Sequence, residues 1–549
     1  MNYCSTIVIF FGGLGMFLYG MNRMAEGMQK LTGAFVKNFL EALSDKKAMA
    51  ILAGVLITAI IQSSTGTTIM VVGFVNAGIL SLIQSVGVIM GANIGTTVTG
   101  WLVSLFTLRN LQYGYLIASF LVGIAAFMMM FLKTEKKKVA ADVIFGAGIL
   151  FLGLFTMTNA IGQVKEQGDY VQKFLYLGNR PFLAIIAGIF VTLILQSSSV
   201  SIGILQCFAL NGLVNWKTAV FIILGQNIGT CMPALISSAG TQVNAKRSAM
   251  IHLFFNVFGT IVFGFGMAIV FARNAGFANG TISSAGIAAF HSGFNIVVAF
   301  LLAPFTKLVA SFSDIVLKSH GLEEAEDDVE LASRHLDKRI LESPSFAVAE
   351  AVQEVVHMGE VAYESVKLAF DAIISRDARK VKIVFEKEDT IDKMTDVISD
   401  YLVKISALPL TEEQHTSITN LFYTVSNFER MGDHAENLAE LCNYMIENNI
   451  QFSEPAYKEL EGIMEIVTNS FIYSIRARRD LSKESADRAR QYEDLVDSIE
   501  DELRNKHMKR LANELCKPTS GVVFLDILSN LERISDHADN VAGYVLNEI

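Results

Sequence analysis

Long apolar stretches alternate with short polar ones over the first half of the chain. No charged residue occurs in residues 48–108, in 181–216 or in 218–245. A membrane-spanning helix needs about 20 predominantly apolar residues, so each stretch is long enough for at least one span. The pattern predicts an all-α, polytopic membrane domain over residues 1–316. No small-residue cleavage site follows the N-terminal apolar segment, which we interpret as a retained span.

The predicted membrane domain contains an internal repeat. The stretch LITAIIQSSTGTT at residues 56–68 recurs as FVTLILQSSSVSI at 190–202, which aligns Gln62 with Gln196. The same offset relates GANIGTT at 91–97 to GQNIGTC at 225–231. A constant offset indicates a duplicated unit, with repeat one at about 1–134 and repeat two at about 135–316. Such halves are typical of secondary transporters.

Basic connections indicate how the repeats are oriented. The segment LKTEKKK at residues 132–138 is the most basic connection of the domain, and the loop after the first helix is also basic. The positive-inside rule assigns both to the cytoplasm. The first helix then runs from outside to inside and its counterpart, at about 142–161, from inside to outside, which is an inverted repeat. The connection that carries Lys165, Lys173 and Arg180 is also somewhat basic and weighs against this assignment.

Each repeat has a polar run inside an uncharged, apolar segment. Isolated Ser and Thr side chains can bond to the carbonyls of their own helix. A run such as Gln62 to Thr65 would surround a continuous helix and expose several polar groups to lipid. We therefore predict two re-entrant helical hairpins that break at the polar runs, because non-helical backbone at that depth is tolerated where protein or a wet cavity surrounds it.

A broken helix offers N–H groups that favour an anion, and carbonyl, amide and hydroxyl oxygens that suit a hard cation such as sodium. Neither polar run contains Lys or Arg. A bound anion would therefore need co-bound cations, which favours cotransport.

The GxNIGT element allows two interpretations. Its GxxxG spacing is typical of close helix packing, but Asn93 and Asn227 recur at matched positions and need polar partners. Two further pairs, His252 with Asn256 and His291 with Asn295, have i, i+4 spacing. They either bond to each other across a helix turn or carry protons.

The duplicated QSSS-type signature followed by GxNIGT resembles the type II sodium-dependent phosphate cotransporter family. Thr65 stands where that family often has a third Ser. The resemblance implies sodium-coupled import of inorganic phosphate across the cytoplasmic membrane, with phosphate and sodium held at the two signatures. The candidate binding residues are Gln62, Ser63, Ser64, Thr65, Asn93, Thr96, Gln196, Ser197, Ser198, Ser199, Asn227 and Thr230.

The remaining residues change character. Residues 1–316 hold 18 Lys and Arg against 8 Asp and Glu, whereas residues 317–549 hold 26 against 46. An acidic linker is predicted at 317–343, followed by a soluble helical domain at 344–549 in which prolines mark helix starts. This domain is also repeated, because ERMGDHAENLAE at 429–440 recurs as ERISDHADNVAG at 532–543. We predict two three-helix bundles.

The acidic repeat resembles the PhoU family of phosphate-signalling proteins. The resemblance implies a cytoplasmic domain that regulates transport. Its carboxylates form either a solvated face paired with Arg430 and Arg533 or a site for divalent or iron ions. The candidate metal ligands are Glu388, Asp392, Glu429, Asp433, Glu493, Asp497, Glu532 and Asp536.

Other function classes are disfavoured. The sequence has no GxSxG, GxxxxGK[ST] or HExxH motif, so we do not expect an enzyme. Five scattered cysteines without a CxxC pair predict neither a disulfide framework nor a zinc site. We expect membrane lipid and phosphate as partners and no nucleic acid. A carrier of another oxyanion such as sulfate, and a membrane sensor that binds phosphate without net flux, remain alternatives.

Overall fold

The computed structural model describes residues 3–41, 47–107, 111–165, 180–317 and 327–549. Parts of the chain used in the predictions lie outside these ranges, namely residues 42–46 of the basic loop after the first helix, Lys173, and residues 318–326 of the predicted acidic linker. The chain forms two compact units, Met1–Glu323 with Arg339–Ser345, and Glu324–Lys338 with Phe346–Ile549. No strand occurs among the described residues, in agreement with the predicted all-α class.

The first unit is built from fifteen described α-helices, with a short 3-10 turn at Ala303–Phe305. Their bounds are α1 Tyr3–Glu41, α2 Lys47–Ile61, α3 Ser64–Asn76, α4 Leu82–Gly95, α5 Thr97–Thr107, α6 Leu111–Phe131, α7 Glu135–Lys165, α8 Pro181–Leu195, α9 Ser198–Leu210, α10 Trp216–Gly229, α11 Cys231–Ser237, α12 Val243–Arg273, α13 Ala275–Asn279, α14 Ser284–Leu302 and α15 Thr306–Val316.

Within the described residues, seven helical stretches are long and apolar enough to cross a membrane. They are Cys4–Thr32, Leu82–Leu105, Tyr113–Phe131, Glu135–Gln163, Trp216–Ser237, Val243–Arg273 and Ser284–Ser313. Two of them, Leu82–Leu105 and Trp216–Ser237, each consist of two consecutive helices, α4 with α5 and α10 with α11. The prediction of a polytopic membrane domain is confirmed.

The repeats are inverted, because α1 packs antiparallel to its counterpart α7. A Cβ atom added to Gly13 would meet Met157 and Gly153, whereas one added to Gly20, further along the same helix, would meet Leu150 and Gly146. As residue numbers increase along α1, the residue numbers of its contacts on α7 decrease, so the two helices run in opposite directions. Glycines at these positions let the two backbones approach closely, and Phe17 between them is fully buried.

The second unit contains the short helix α16 (Asp328–His335) and six long helices. The long helices are α17 Pro344–Ser375, α18 Ala378–Ser406, α19 Glu412–Glu447, α20 Glu454–Asp480, α21 Lys483–Ala512 and α22 Pro518–Glu548. Their number agrees with the predicted six-helix domain. A capping box begins α19, since the Thr411 hydroxyl accepts from the Gln414 main-chain amide and the Gln414 side chain accepts from the Thr411 main-chain amide.

The two halves of this domain meet through their repeated motifs. His434 on α19 and His537 on α22 stack with their ring centroids 5.6 Å apart. His434 Nδ1 lies 2.9 Å from Asn530 Oδ1, and His537 Nδ1 lies 2.9 Å from Asn427 Oδ1. The equivalent contacts of the two repeated motifs are therefore related by a local twofold axis that passes between His434 and His537.

Candidate functional site

The first polar run is a sharp break between two short helices. After α2 ends, Gln62 adopts a left-handed backbone conformation with φ of 56°, which is unfavourable for a residue with a Cβ atom. Ser63 then caps α3, and its hydroxyl accepts a hydrogen bond from the Gly66 amide at 3.0 Å. The hydroxyls of Thr58 and Thr67 lie 3.1 Å apart. A continuous helix would separate these two positions by about 13 Å, so the chain turns back as a hairpin.

The second polar run repeats this geometry. Gln196 is left-handed with φ of 51°, and Ser197 caps α9 by accepting from the Val200 amide at 3.3 Å. The hydroxyls of Thr192 and Ser201 lie 3.2 Å apart. These two residues correspond to Thr58 and Thr67 by the same repeat offset that aligns the glutamines. Both re-entrant hairpins are thus confirmed.

Each break brings a helix start into the apolar domain. The helices α2 and α8 have 15 residues each, and α3 and α9 have 13. At about 1.5 Å per residue, all four are shorter than the hydrocarbon thickness of about 30 Å. The first N–H groups of α3 and α9, at Ser64 and Ser198, are therefore available at the polar runs, in which Gln62 is buried and Gln196 is exposed. Such N-termini attract anions.

Thr99 of α5 joins the two breaks. Its hydroxyl donates to Gln62 Oε1 at 2.8 Å, and the Ser199 hydroxyl donates to it at 3.3 Å. The next residue, Gly100, accepts a hydrogen bond on its carbonyl from Gln206 of α9 at 2.9 Å. The signatures of the two repeats, although distant in sequence, are therefore parts of one continuous polar network.

The glycines of both GxNIGT elements pack helices together. A Cβ atom on Gly91 would lie 2.0 Å from the carbonyl oxygen of Ile51, and one on Gly225 would lie 2.0 Å from that of Ile185. The backbone of α4 therefore touches that of α2, and α10 touches α8 in the same way. The packing interpretation of the GxxxG spacing is correct, and it positions both breaks.

The asparagines of these elements have histidine partners. His252 Nε2 lies 3.2 Å from Asn93 Oδ1, and His291 Nε2 lies 3.2 Å from Asn227 Oδ1. Each histidine lies on a different helix from its asparagine, so these bonds fix α12 against α4 and α14 against α10. The hydroxyls of Thr96 and Thr230 bond to the carbonyls of Ala92 and Asn227, in the helix turn that precedes each of them.

The predicted bonds between each histidine and the asparagine four residues later are present, but they involve the main-chain carbonyl of the histidine and not its imidazole ring. Asn256 Nδ2 donates to the carbonyl of His252 at 3.1 Å, and Asn295 Nδ2 donates to that of His291 at 2.9 Å. The imidazole rings instead reach across to Asn93 and Asn227. Sequence spacing identified the helix contacts but not the ring partners, because the latter depend on how helices pack.

Several buried oxygen atoms in this region lack a hydrogen-bond partner within the part of the chain that the structure describes. They include Oδ1 of Asn256, Oδ1 of Asn295 and Oε1 of Gln226. Buried amide oxygens without donors are rare and costly. Their chemistry matches that of sodium ligands, which are oxygen atoms.

Two acidic clusters lie in the second unit. One oxygen from each of Glu388, Asp392 and Asp433 lies within 4.8 Å of the others, and Glu493, Asp497 and Asp536 form the same arrangement. Burial, followed by repulsion from Asp392, raises the pKa of Glu388 to about 7.

Burial and Asp497 raise the pKa of Glu493 to about 7 as well. The pKa values of Glu429 and Glu532 are also raised, first by burial and then by the neighbouring Asp433 and Asp536. Glu532 additionally pairs with Arg533 at 3.7 Å, as in the solvated-face interpretation. Three converging carboxylates fit a hard divalent cation or iron, which would relieve their mutual repulsion.

Two inverted repeats, each with a helical hairpin broken at a polar run, define a secondary transporter. The chain belongs to the Na+/Pi-cotransporter family, which it matches over residues 16–159 and 163–298. It also carries a PhoU domain, matched over residues 355–442 and 460–545. The family is one of transporters rather than enzymes.

Similar proteins cover either the whole chain or one part of it. The chain is 22% identical over 548 residues to "Putative inorganic phosphate export protein YjbB" of Salmonella typhimurium, covering 99% of this chain and 98% of that protein. It is 29% identical over 295 residues to "Uncharacterized protein YqeW" of Bacillus subtilis, covering 53% and 92%. The crystal structure of PhoU from Pseudomonas aeruginosa is 23% identical, with a TM-score of 0.35, and covers 37% of this chain and 96% of that chain.

Proposed function

We propose that this protein is a sodium-coupled symporter of inorganic phosphate whose binding site lies between the two polar breaks. The observation that carries the proposal is the contact of Thr99 with both Gln62 and Ser199, since it makes the breaks of opposite repeats parts of one site. The N-termini of α3 and α9 favour the anion, and neither polar run contains Lys or Arg to neutralise it. Sodium would supply that charge.

We propose import as the physiological direction. A membrane potential contributes about 2.3 kcal/mol per 100 mV for each net charge that moves inward. Sodium in excess of the phosphate charge would therefore drive uptake. The names of the YjbB relatives refer to export. A symporter transports in either direction, depending on the sodium and phosphate gradients and the membrane potential. Transport measured under imposed gradients therefore distinguishes import from export.

We place the PhoU domain in the cytoplasm. The basic stretch after α6 runs into the first turn of α7 and includes Lys136, Lys137 and Lys138, which the positive-inside rule assigns to the cytoplasm. From there α7 crosses, the hairpin α8–α9 returns to the same face, and α10 with α11 crosses back. The helices α12 and α14 make one further pair of crossings, so the chain would leave the membrane on the face of the basic connection.

We propose that the PhoU domain regulates transport and that its acidic clusters hold metal. Glu388, Asp392 and Asp433 would form one site, with Glu493, Asp497 and Asp536 as its repeat counterpart. Bound cations would neutralise repulsion between the carboxylates and stiffen the contact between neighbouring helices.

Uptake of radiolabelled phosphate into proteoliposomes tests the transport proposal. We expect accumulation with an inward sodium gradient, stimulation by a negative interior, and little competition by sulfate. Uptake that ignores sodium, or that prefers sulfate, would contradict it. Gln196→Ala should weaken phosphate binding, and Gln353→Ala, an exposed residue on α17, serves as the control. Phosphate binding without net flux would instead favour a sensor.

A further inference from the structure

A short segment between the two units returns to the transport domain. Residues Arg339–Ser345, which we call the strap, form part of the first unit although the residues on both sides belong to the second. Ile340 of the strap is fully buried. Arg339 Nε donates to the carbonyl of Ser237 at 2.7 Å, at the end of α11. The strap is thus anchored at the C-terminal end of α11.

The strap lies along α3. A Cβ atom added to Gly73 would stand 3.0 Å from the Arg339 Cβ and 3.3 Å from the Ile340 Cγ1. Two helix turns closer to the break, a Cβ on Gly66 would stand 3.3 Å from Glu342 Oε2 and 3.2 Å from the Ser63 Oγ. The Glu342 carboxylate therefore reaches the first turn of α3, next to the residue that caps it.

Only repeat one has glycine at the two positions that the strap approaches. The positions that correspond to Gly66 and Gly73 by the repeat offset are Val200 and Cys207. Side chains there would occupy the space that the strap fills on α3. The absence of side chains at Gly66 and Gly73 therefore leaves room for the strap on α3.

We propose that the strap is a tethered inhibitor in which the Glu342 carboxylate competes with the transported oxyanion at the N-terminus of α3. This inference rests on the proposed function. A carboxylate is favoured at a helix N-terminus for the same reason as phosphate, because both interact with free N–H groups and the positive end of the dipole. Both ends of the strap continue into the second unit, so rearrangement of the PhoU domain would release it.

Glu342 is a displaceable ligand. Its side chain retains solvent exposure, and burial of the rest raises the pKa of its carboxyl. The surrounding groups therefore stabilise the negative charge of Glu342 less well than water does. An oxyanion with more oxygens and accompanying sodium would replace it.

Phosphate binding to the full-length protein in detergent with sodium provides the first test. Glu342→Gln should tighten the apparent Kd several-fold, whereas Glu461→Gln, an exposed carboxylate on α20, should leave it unchanged.

A disulfide between Gly73→Cys and Arg339→Cys, with Cys4 and Cys516 changed to Ser, should hold the strap in place. The Cβ separation of 3.0 Å is about 0.5 Å below the range of disulfides, so the bond forms after a small outward shift of the strap. Oxidation should weaken phosphate binding about tenfold, and reduction should restore it.

A second readout does not require phosphate binding. The thiol of Ser63→Cys should react faster with a negatively charged reagent when Glu342→Ala is also present. Equal labelling rates, or an unchanged Kd in both Glu342→Gln and the oxidised pair, would overturn the proposal. Absence of phosphate binding in the parent would reject the proposed function, and labelling would still decide whether the strap covers the break.

Discussion

The Thr99 hydroxyl donates a 2.8 Å hydrogen bond to Gln62 Oε1, which orients the amide at the first break. Gln62 Nε2 donates in turn to the carbonyl of Ala59, so both ends of the amide are fixed. Thr99 has no repeat counterpart, because the corresponding position is Pro233. The two breaks are therefore alike in backbone but differ in the contacts made to their glutamines.

Replacing Thr99 by Val should weaken phosphate transport. The variant keeps the shape of the side chain but removes the donor to Gln62 and the acceptor for Ser199. Each lost hydrogen bond is worth about 1 kcal/mol, so we expect the KM for phosphate to increase roughly fivefold if one bond contributes and roughly thirtyfold if both do. Thr99→Ser retains the hydroxyl and should behave like the parent. A KM that is equal in Thr99→Val and the parent would show that the bridge does not organise the site.

The bond between Asn93 and His252 should appear as coupling in a double-mutant cycle. Either Asn93→Leu or His252→Phe leaves a buried polar group unsatisfied, which costs about 1–3 kcal/mol. The double variant removes both groups and should be less destabilised than the sum of the single variants. The thermal midpoint of unfolding in detergent measures this.

The corresponding cycle of Asn227 with His291 is the matched comparison, since its separation is also 3.2 Å. Additive effects in both cycles would refute the two bonds. Coupling in one cycle alone would show that the repeats are not equivalent in energy.

The sequence predicted those features that both repeats share. The constant offset predicted the duplication, the basic connections predicted its inversion, and the polar runs and glycine spacing predicted the hairpins and the GxNIGT packing. Thr99 was not predicted because Pro233 occupies the corresponding position of the second repeat, so Thr99 is not a duplicated residue. One signal was present, namely a third Thr following GTT in an uncharged helix.

Contacts that join distant segments could not be predicted. His252 lies 159 positions from Asn93, and Arg339 lies 102 positions from Ser237. Neither pair has a local pattern, because each depends on how complete helices pack. The strap in particular follows an acidic run that composition alone identifies as a linker.

The close contact of α1 with α7 should not tolerate a side chain at Gly20. A Cβ atom there would lie 2.3 Å from the Leu150 nitrogen and 2.6 Å from the Gly146 oxygen. These are backbone atoms that cannot move without separating the helices. We expect Gly20→Val to destabilise the membrane domain by at least the roughly 1–3 kcal/mol typical of overpacking.

Gly15→Val is the control on the same helix, because nothing lies within 4 Å of its Cβ position. The monodisperse fraction after detergent extraction and the unfolding midpoint measure both variants. Equal behaviour of the two would contradict the antiparallel glycine contact.

The acidic clusters should make the stability of the PhoU domain depend on pH and on divalent cations. The pKa of Glu388 is about 7 in the folded protein, against an ordinary value of 4.5. Since the folded state holds this proton more tightly, the carboxyl destabilises the fold increasingly as the pH rises from about 4.5 to about 7. In chelator, the unfolding midpoint of this domain in the full-length protein should fall over that window.

Manganese should then raise the midpoint at pH 8 but have little effect at pH 5, where Glu388 is protonated. Glu388→Gln should reduce both the fall with pH and the response to manganese. Glu386→Gln changes an exposed carboxylate on the same helix, which pairs with Lys382 at 3.4 Å, and should alter neither. A manganese response that is identical in Glu388→Gln, in Glu493→Gln and in the parent would show that the cation binds elsewhere, because each cluster would lose a ligand in one of these variants.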